Sequence, residues 1–121
     1  MINRIILIGR IGKDPETFKE GKIAKIPLAT NESKKNQSGE WEDETTWHTV
    51  ISFGNQAERM ANYKKGNLIY VDGKMTYRKY EDKEGVKRLA PEVMCNYARV
   101  LTKEEAKQQT ASTEKAPWES Y

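Results

Sequence analysis

Nine consecutive residues, Thr46-Trp47-His48-Thr49-Val50-Ile51-Ser52-Phe53-Gly54, hold the most chemically suggestive pattern in the chain. In a strand, alternation puts Trp47, Thr49, Ile51 and Phe53 on one face and His48 on the other. A second extended run, Lys74 to Tyr80, brings Lys74, Thr76, Arg78 and Tyr80 to one side. Planar rings give unpaired bases a surface to stack on, and cations beside them neutralise phosphates, so interleaving the two suits a single-stranded nucleic acid. The same rings would also serve the core of a small β-domain, because aromatics favour strands for packing reasons alone. On this segment by itself, both readings stand.

The surrounding elements must position these groups. Arg4 to Ile11 is a β-branched apolar run, read as a buried first strand, and Gly12-Lys13-Asp14-Pro15 breaks it. A second strand spans Ile23 to Thr30, with Pro27 implying an edge or a bulge. Asn31 to Thr45 reads as a long polar loop, and Thr46 to Phe53 is the third strand. The period then changes: Asn55 to Tyr63 predicts a short helix capped by Asn55, with Ala57, Met60 and Ala61 as its apolar face and Gly66 past its end. Asn67 to Tyr80 is a fourth strand bent at Gly73. After the connector Glu81-Asp82-Lys83-Glu84-Gly85, Val86 to Leu101 is a fifth strand interrupted by Pro91. An all-β chain with one short helix in the order β-β-β-α-β-β matches the OB-fold, a five-stranded Greek-key barrel. Residues 1–102 form that domain, and 103–121 read as a flexible C-terminal tail rich in Lys, Glu, Gln, Ser and Thr.

Composition excludes several classes. With 121 residues, 36% hydrophobic and 32% charged, the chain makes one domain with a lean core, which oligomerisation often supplements. The net charge of +3 is too small for bulk attraction to nucleic acid, so binding would need a local basic groove. One His and one Cys cannot build a His/Cys zinc site, and no metal or cofactor is expected. His48 has no serine in a strained elbow to activate, and Gly9 to Asp14 lacks phosphate-loop spacing, so no catalytic constellation is present and no enzyme is expected. Cys95 reads as an inert buried thiol in a reducing compartment. No apolar run is long enough for a membrane span, and no signal or transit pattern opens the chain. The expected setting is the cytoplasm, at the nucleoid or in a phage-infected cell, or the mitochondrial matrix if a transit segment has been removed.

Four segments carry a family likeness: Asn3 to Glu16, Leu28-Ala29-Thr30-Asn31, Glu44 to Gly54, and Lys65-Gly66 through Tyr70-Val71-Asp72-Gly73-Lys74 to Asp82. Over residues 1–102 the chain resembles single-stranded DNA-binding proteins of the bacterial and mitochondrial type. The resemblance implies sequence-tolerant binding of single-stranded DNA during replication, recombination and repair. It implies base stacking by Trp47, Phe53 and Tyr80, the last standing where a Trp is usual. Arg4, Arg78 and Lys79 match the family's basic positions, and Lys34, Lys35 and Lys65 add charge. The family's loop tryptophan is absent. Trp41 lies further along that loop, either as a substitute ring or packed on the loop itself. The resemblance also implies a homotetramer, with His48 and Tyr70 at subunit contacts. Replication or repair proteins stay open as partners, but the usual acidic tip ending in Ile-Pro-Phe, through which the family docks them, is absent, and Glu114 to Tyr121 stands in its place. Two rival readings are an OB-fold adaptor for RNA or a replication-restart complex, and a module that binds only protein.

Overall fold

The computed structural model describes residues 1–102. The element order is β1 (Ile5–Ile11), β2 (Glu16–Phe18), β3 (Ile23–Lys35), β4 (Trp41–Phe53), α1 (Gly54–Met60), β5 (Leu68–Glu81) and β6 (Lys87–Val100). The sheet runs β1-β5-β6-β4-β3-β2, and β1 also pairs with β3, which closes it into an OB barrel of five long strands with the three-residue β2 on its flank. The β4–β6 contact is parallel and all other pairings are antiparallel.

Alternation fixes what lies inside. Ile26 and Leu28 of β3, Val50 and Ser52 of β4, Ile69 and Val71 of β5, and Val93 of β6 are almost wholly buried, with Ile11 of β1 beside them. Each buried aliphatic side chain contributes roughly 1.5–3 kcal/mol. Helix α1 plugs one end with Ala57 and Met60, and the buried Ser52 hydroxyl donates to Met60 Sδ at 3.2 Å.

Several elements differ from the sequence expectation. The supposed loop Asn31–Thr45 is mostly strand: β3 and β4 stay paired from Ile23↔Phe53 to Lys35↔Trp41, and only a tight turn joins them. Polar cross-strand pairs hold this arm together. Lys34 meets Glu44 at 2.6 Å, Ser33 donates to Asp43 at 2.7 Å, and Thr45 donates to Asn31 at 2.7 Å. The arm buries no core, so it has no apolar period to read.

The helix is shorter than expected. Extended Phe53 stands at its N-cap, no side chain caps it, and Ala61 is exposed at its C-cap. Gly66, at φ +88°, shapes the turn into β5 and donates its N–H to Ile11 O, so it is not the helix cap. Pro27 sits in register opposite Thr49, where the far flank of β3 passes from β2 to β1, so its missing N–H removes no ladder bond. Pro91 does not interrupt β6. It pairs with Tyr77 at a point where β5 is the strand's only ladder partner among the described residues. At Gly73, β5 runs on unbroken, and it is the β5–β6 register that shifts, between Asp72 and Gly73, leaving Asn96 as an extra residue on β6. A Cβ on Gly73 would lie 2.2 Å from Met94 O, so the bulge needs glycine for closeness of approach. The expected tail lies outside the described residues.

Candidate nucleic-acid interface

The third-strand rings face outward. Val50 and Ser52 fill the even face of β4, so Trp47 and Phe53 occupy the odd face, 61% and 47% exposed. This excludes the core reading for both. Trp47 has a defined seat. A Cβ on Gly12 would fall 2.5 Å from its Cζ3 and 2.7 Å from its Cη2, while Pro27 flanks the same spot. Gly12 is held by its N–H donating to Pro27 O at 2.9 Å. The benzo edge of the indole therefore rests on bare backbone, and the remainder of the ring stays open to solvent.

Lys65 belongs to the same end of the barrel, because its backbone N–H donates to Asp14 at 2.8 Å and Gly66 bonds Ile11. Along the arm, pairing puts Asn31/Thr45, Ser33/Asp43 and Lys35/Trp41 on the face that Trp47 shares with Ala29. Trp41 is 70% exposed and lies roughly 20 Å further along the strand. The reverse face of the arm carries Glu32, Lys34, Glu42 and Glu44. Lys34 is thus directed away from the rings and tied to Glu44, which also holds its ammonium above the usual lysine range.

On β5, Arg78 and Tyr80 share a face, with the guanidinium 5.6 Å from the ring centroid. Arg78 Nε also pairs with the buried Glu92 at 3.1 Å, so part of its charge is already neutralised. Lys79 alternates to the other face of this hairpin with Leu89 and Lys87, and an open groove at the tip is lined from both faces, by Tyr80 and Arg88 as well as by Lys79 and Leu89.

Arg4 lies at the opposite end of β1 from the Gly12 seat. Its Nε and Nη2 donate to Asp72 at 3.2 and 2.7 Å, the hydrogen-bonded pair raising the pKa of the guanidinium and lowering that of the carboxyl. The structure does not bring Arg4 to the rings.

Neither does it bring His48 and Tyr70 together. His48, half-buried on the inward-facing side of β4, shares a 2.9 Å hydrogen bond between Nε2 and the Thr30 hydroxyl, and burial lowers its pKa. Tyr70 faces out of β5, directly opposite exposed Ile8 and edge-on to Tyr97 at 6.3 Å. Cys95 is buried, and desolvation pushes its thiol up to about 11, in keeping with an inert group.

Two outward-facing groups were missed from the candidate set. Lys25 stands across from Ile51, between the rows of Trp47 and Phe53; its parity with Ile23 and Pro27 would have found it. Phe18 on β2 is 45% exposed and sits in the same cross-strand row as Ile23 and Phe53. Three residues of strand gave no alternation to reveal it. No cluster of His, Cys, Asp or Glu suited to a metal ion occurs among the described residues.

A closed OB barrel whose outer face carries exposed rings among lysines defines an oligonucleotide-binding module. The model of the single-strand binding protein family matches residues 2–101, and the chain belongs to that family of binding proteins. The solved structure of the Plasmodium falciparum SSB in complex with ssDNA is similar, with TM-score 0.72 and 28% identity over 84% of this chain and 96% of that one. A deletion mutant of the single-stranded DNA binding protein from Thermus aquaticus is similar at TM-score 0.69 and 28% identity, over 85% of this chain and 52% of that one. The present chain thus spans about half of the Thermus protein. The fold expectation and the family resemblance are both borne out.

Proposed function

We propose that this chain binds single-stranded DNA without strong sequence preference, on the outer face of β4 and the neighbouring strands. One observation carries the reading. In a member of the single-strand binding family, Trp47 and Phe53 stand exposed on the outside of β4 while Val50 and Ser52 on its inside are fully packed. Bases stack on Trp47 and Phe53, and on Tyr80 where the β5–β6 hairpin extends beyond the barrel. Lys25, Lys35 and Lys65, which have no ion pair among the described residues, neutralise phosphates. Every base has a π-face, so such a surface discriminates little among sequences.

Titration with oligo-dT tests this through tryptophan fluorescence. Strong quenching that is largely lost in Trp47→Ala supports the reading. Unchanged fluorescence and no binding at low salt would overturn it.

The protein acts as a homotetramer in this reading. Ile6 and Ile8 of β1 are 49% and 54% exposed and lie beside Tyr70 and Tyr97, an apolar outer patch separate from the ring-bearing strand. Covering it supplements a lean core. Native mass spectrometry should show four copies at micromolar concentration and a smaller species for Ile8→Glu. A wild-type monomer would count against the assembly.

A further inference from the structure

The platform does not stop at Phe53. The β4 row continues without interruption through Ile23 of β3 to Phe18 of β2: Phe18 pairs directly with Ile23, and Ile23 with Phe53. Residues in direct register share a face, so the two phenylalanines stand on one surface, roughly 10 Å apart across two strand spacings. Both are nearly half-exposed, and with Ile23 between them they form a contiguous apolar strip rather than isolated exposed residues.

The neighbouring charge has the right sign. Lys25 lies one pair along the same outer face, across from Glu16 on β2. The Glu16 carboxylate pairs with Lys13 at 2.8 Å and also feels the charge of Lys25, which itself makes no direct ion pair among the described residues. The turn that follows Phe18 is built at a backbone cost, because Lys19 and Glu20 both adopt left-handed conformations, at φ 52° and 58°, ahead of Gly21. That tight turn returns the chain directly into β3 and keeps β2 flat against it, with Phe18 on the outside.

We propose that Phe18 is a further base-stacking position that carries the DNA path from β4 across β3 to the β2 edge of the barrel. The proposal rests on the reading that Phe53 stacks, and it adds a contact on an element outside that reading. The occupant is a nucleobase because Phe18 is continuous with Phe53 in one cross-strand row and has at its side Lys25, which makes no direct ion pair among the described residues.

The test uses the full chain and oligo-dT. Phe18→Ala and Phe18→Leu should each weaken binding about tenfold, the scale of one stacked base, while leaving the salt slope of the affinity unchanged, since a ring contact releases no counterion. With Trp41, Trp47 and Trp118 each replaced by Phe, Phe18→Trp supplies a positive signal: its emission should be quenched as oligo-dT is added. Trp47→Ala, run alongside in the otherwise unaltered chain, separates the two levels of argument. If Trp47→Ala weakens binding while Phe18→Ala and Phe18→Leu do not, the platform stands and the Phe18 position falls. An unquenched Trp at position 18 in a chain that still binds would also overturn it. So would a change in oligomeric mass without a change in affinity, which would assign the ring to a protein contact. If Trp47→Ala has no effect either, the functional reading itself fails.

Discussion

An exposed ring can offer a fixed face to a base only if something below holds it in place, and below Trp47 lies Gly12. The indole edge occupies the volume that a Cβ would take. Gly12→Ala should therefore lift the ring without removing any contact to DNA. Affinity for oligo-dT should fall about tenfold, the scale of one stacked base, and that loss should vanish in a Trp47→Ala background. Additive losses in this double-mutant cycle would place the effect of Gly12 elsewhere.

His48 sets a second expectation at the same scale. Burial lowers its pKa below the ordinary 6.5, so the unfolded chain takes up the proton more readily than the folded one. Stability contributed by neutral His48 is present above about pH 6.5 and is lost as pH falls through that value toward the folded pKa. Melting temperature followed from pH 7.5 to pH 5.5 should decline, and the decline should flatten in His48→Gln.

At the scale of elements, the β3–β4 arm extends the ring-bearing face beyond the barrel. Trp41 and Lys35 are cross-strand partners on that face, while Glu32, Glu42 and Glu44 occupy the reverse. Trp41→Ala should weaken binding of long oligo-dT and leave short oligo-dT unchanged, because only a long strand spans both rings. Equal loss at both lengths would contradict this geometry.

The arm also shows where the sequence was legible and where it was not. The division of β4 into Trp47 and Phe53 on one side and His48 on the other follows from a period of two, and the structure keeps it. The arm has no core to pack against, so its strands are specified by pairs such as Lys34 with Glu44 and Asn31 with Thr45, which sit 10 to 14 residues apart and leave no local trace. Arg4 read as a free cation for the same reason: its partner Asp72 is 68 residues away.

For the whole molecule, the issue is how many charges remain for DNA. Arg4, Lys34 and Arg78 are each engaged by a carboxylate, so a tally of basic residues overstates the attraction. For single strands, each neutralised phosphate contributes about 0.7 to the slope of log affinity against log salt. Lys65→Ala should lower the slope by about that amount, whereas Arg4→Ala should leave it unchanged, because Arg4 is paired at the far end of β1. Equal changes would show that Arg4 abandons Asp72 for DNA.

The register shift opposite Gly73 bears on how the barrel tolerates chain-length change. Cys95 and Ala98 both point inward with two exposed residues, Asn96 and Tyr97, between them. Asn96 is the residue without a counterpart on β5. Excising it would restore strict alternation through Cys95, Tyr97, Ala98 and Arg99, turning no side chain over. What would disappear is the local coiling that a bulge imparts to its strand. Here a deletion would spare the hydrophobic pattern and alter the curvature of the wall, so the shape of the barrel and the identity of its lining are set by different residues.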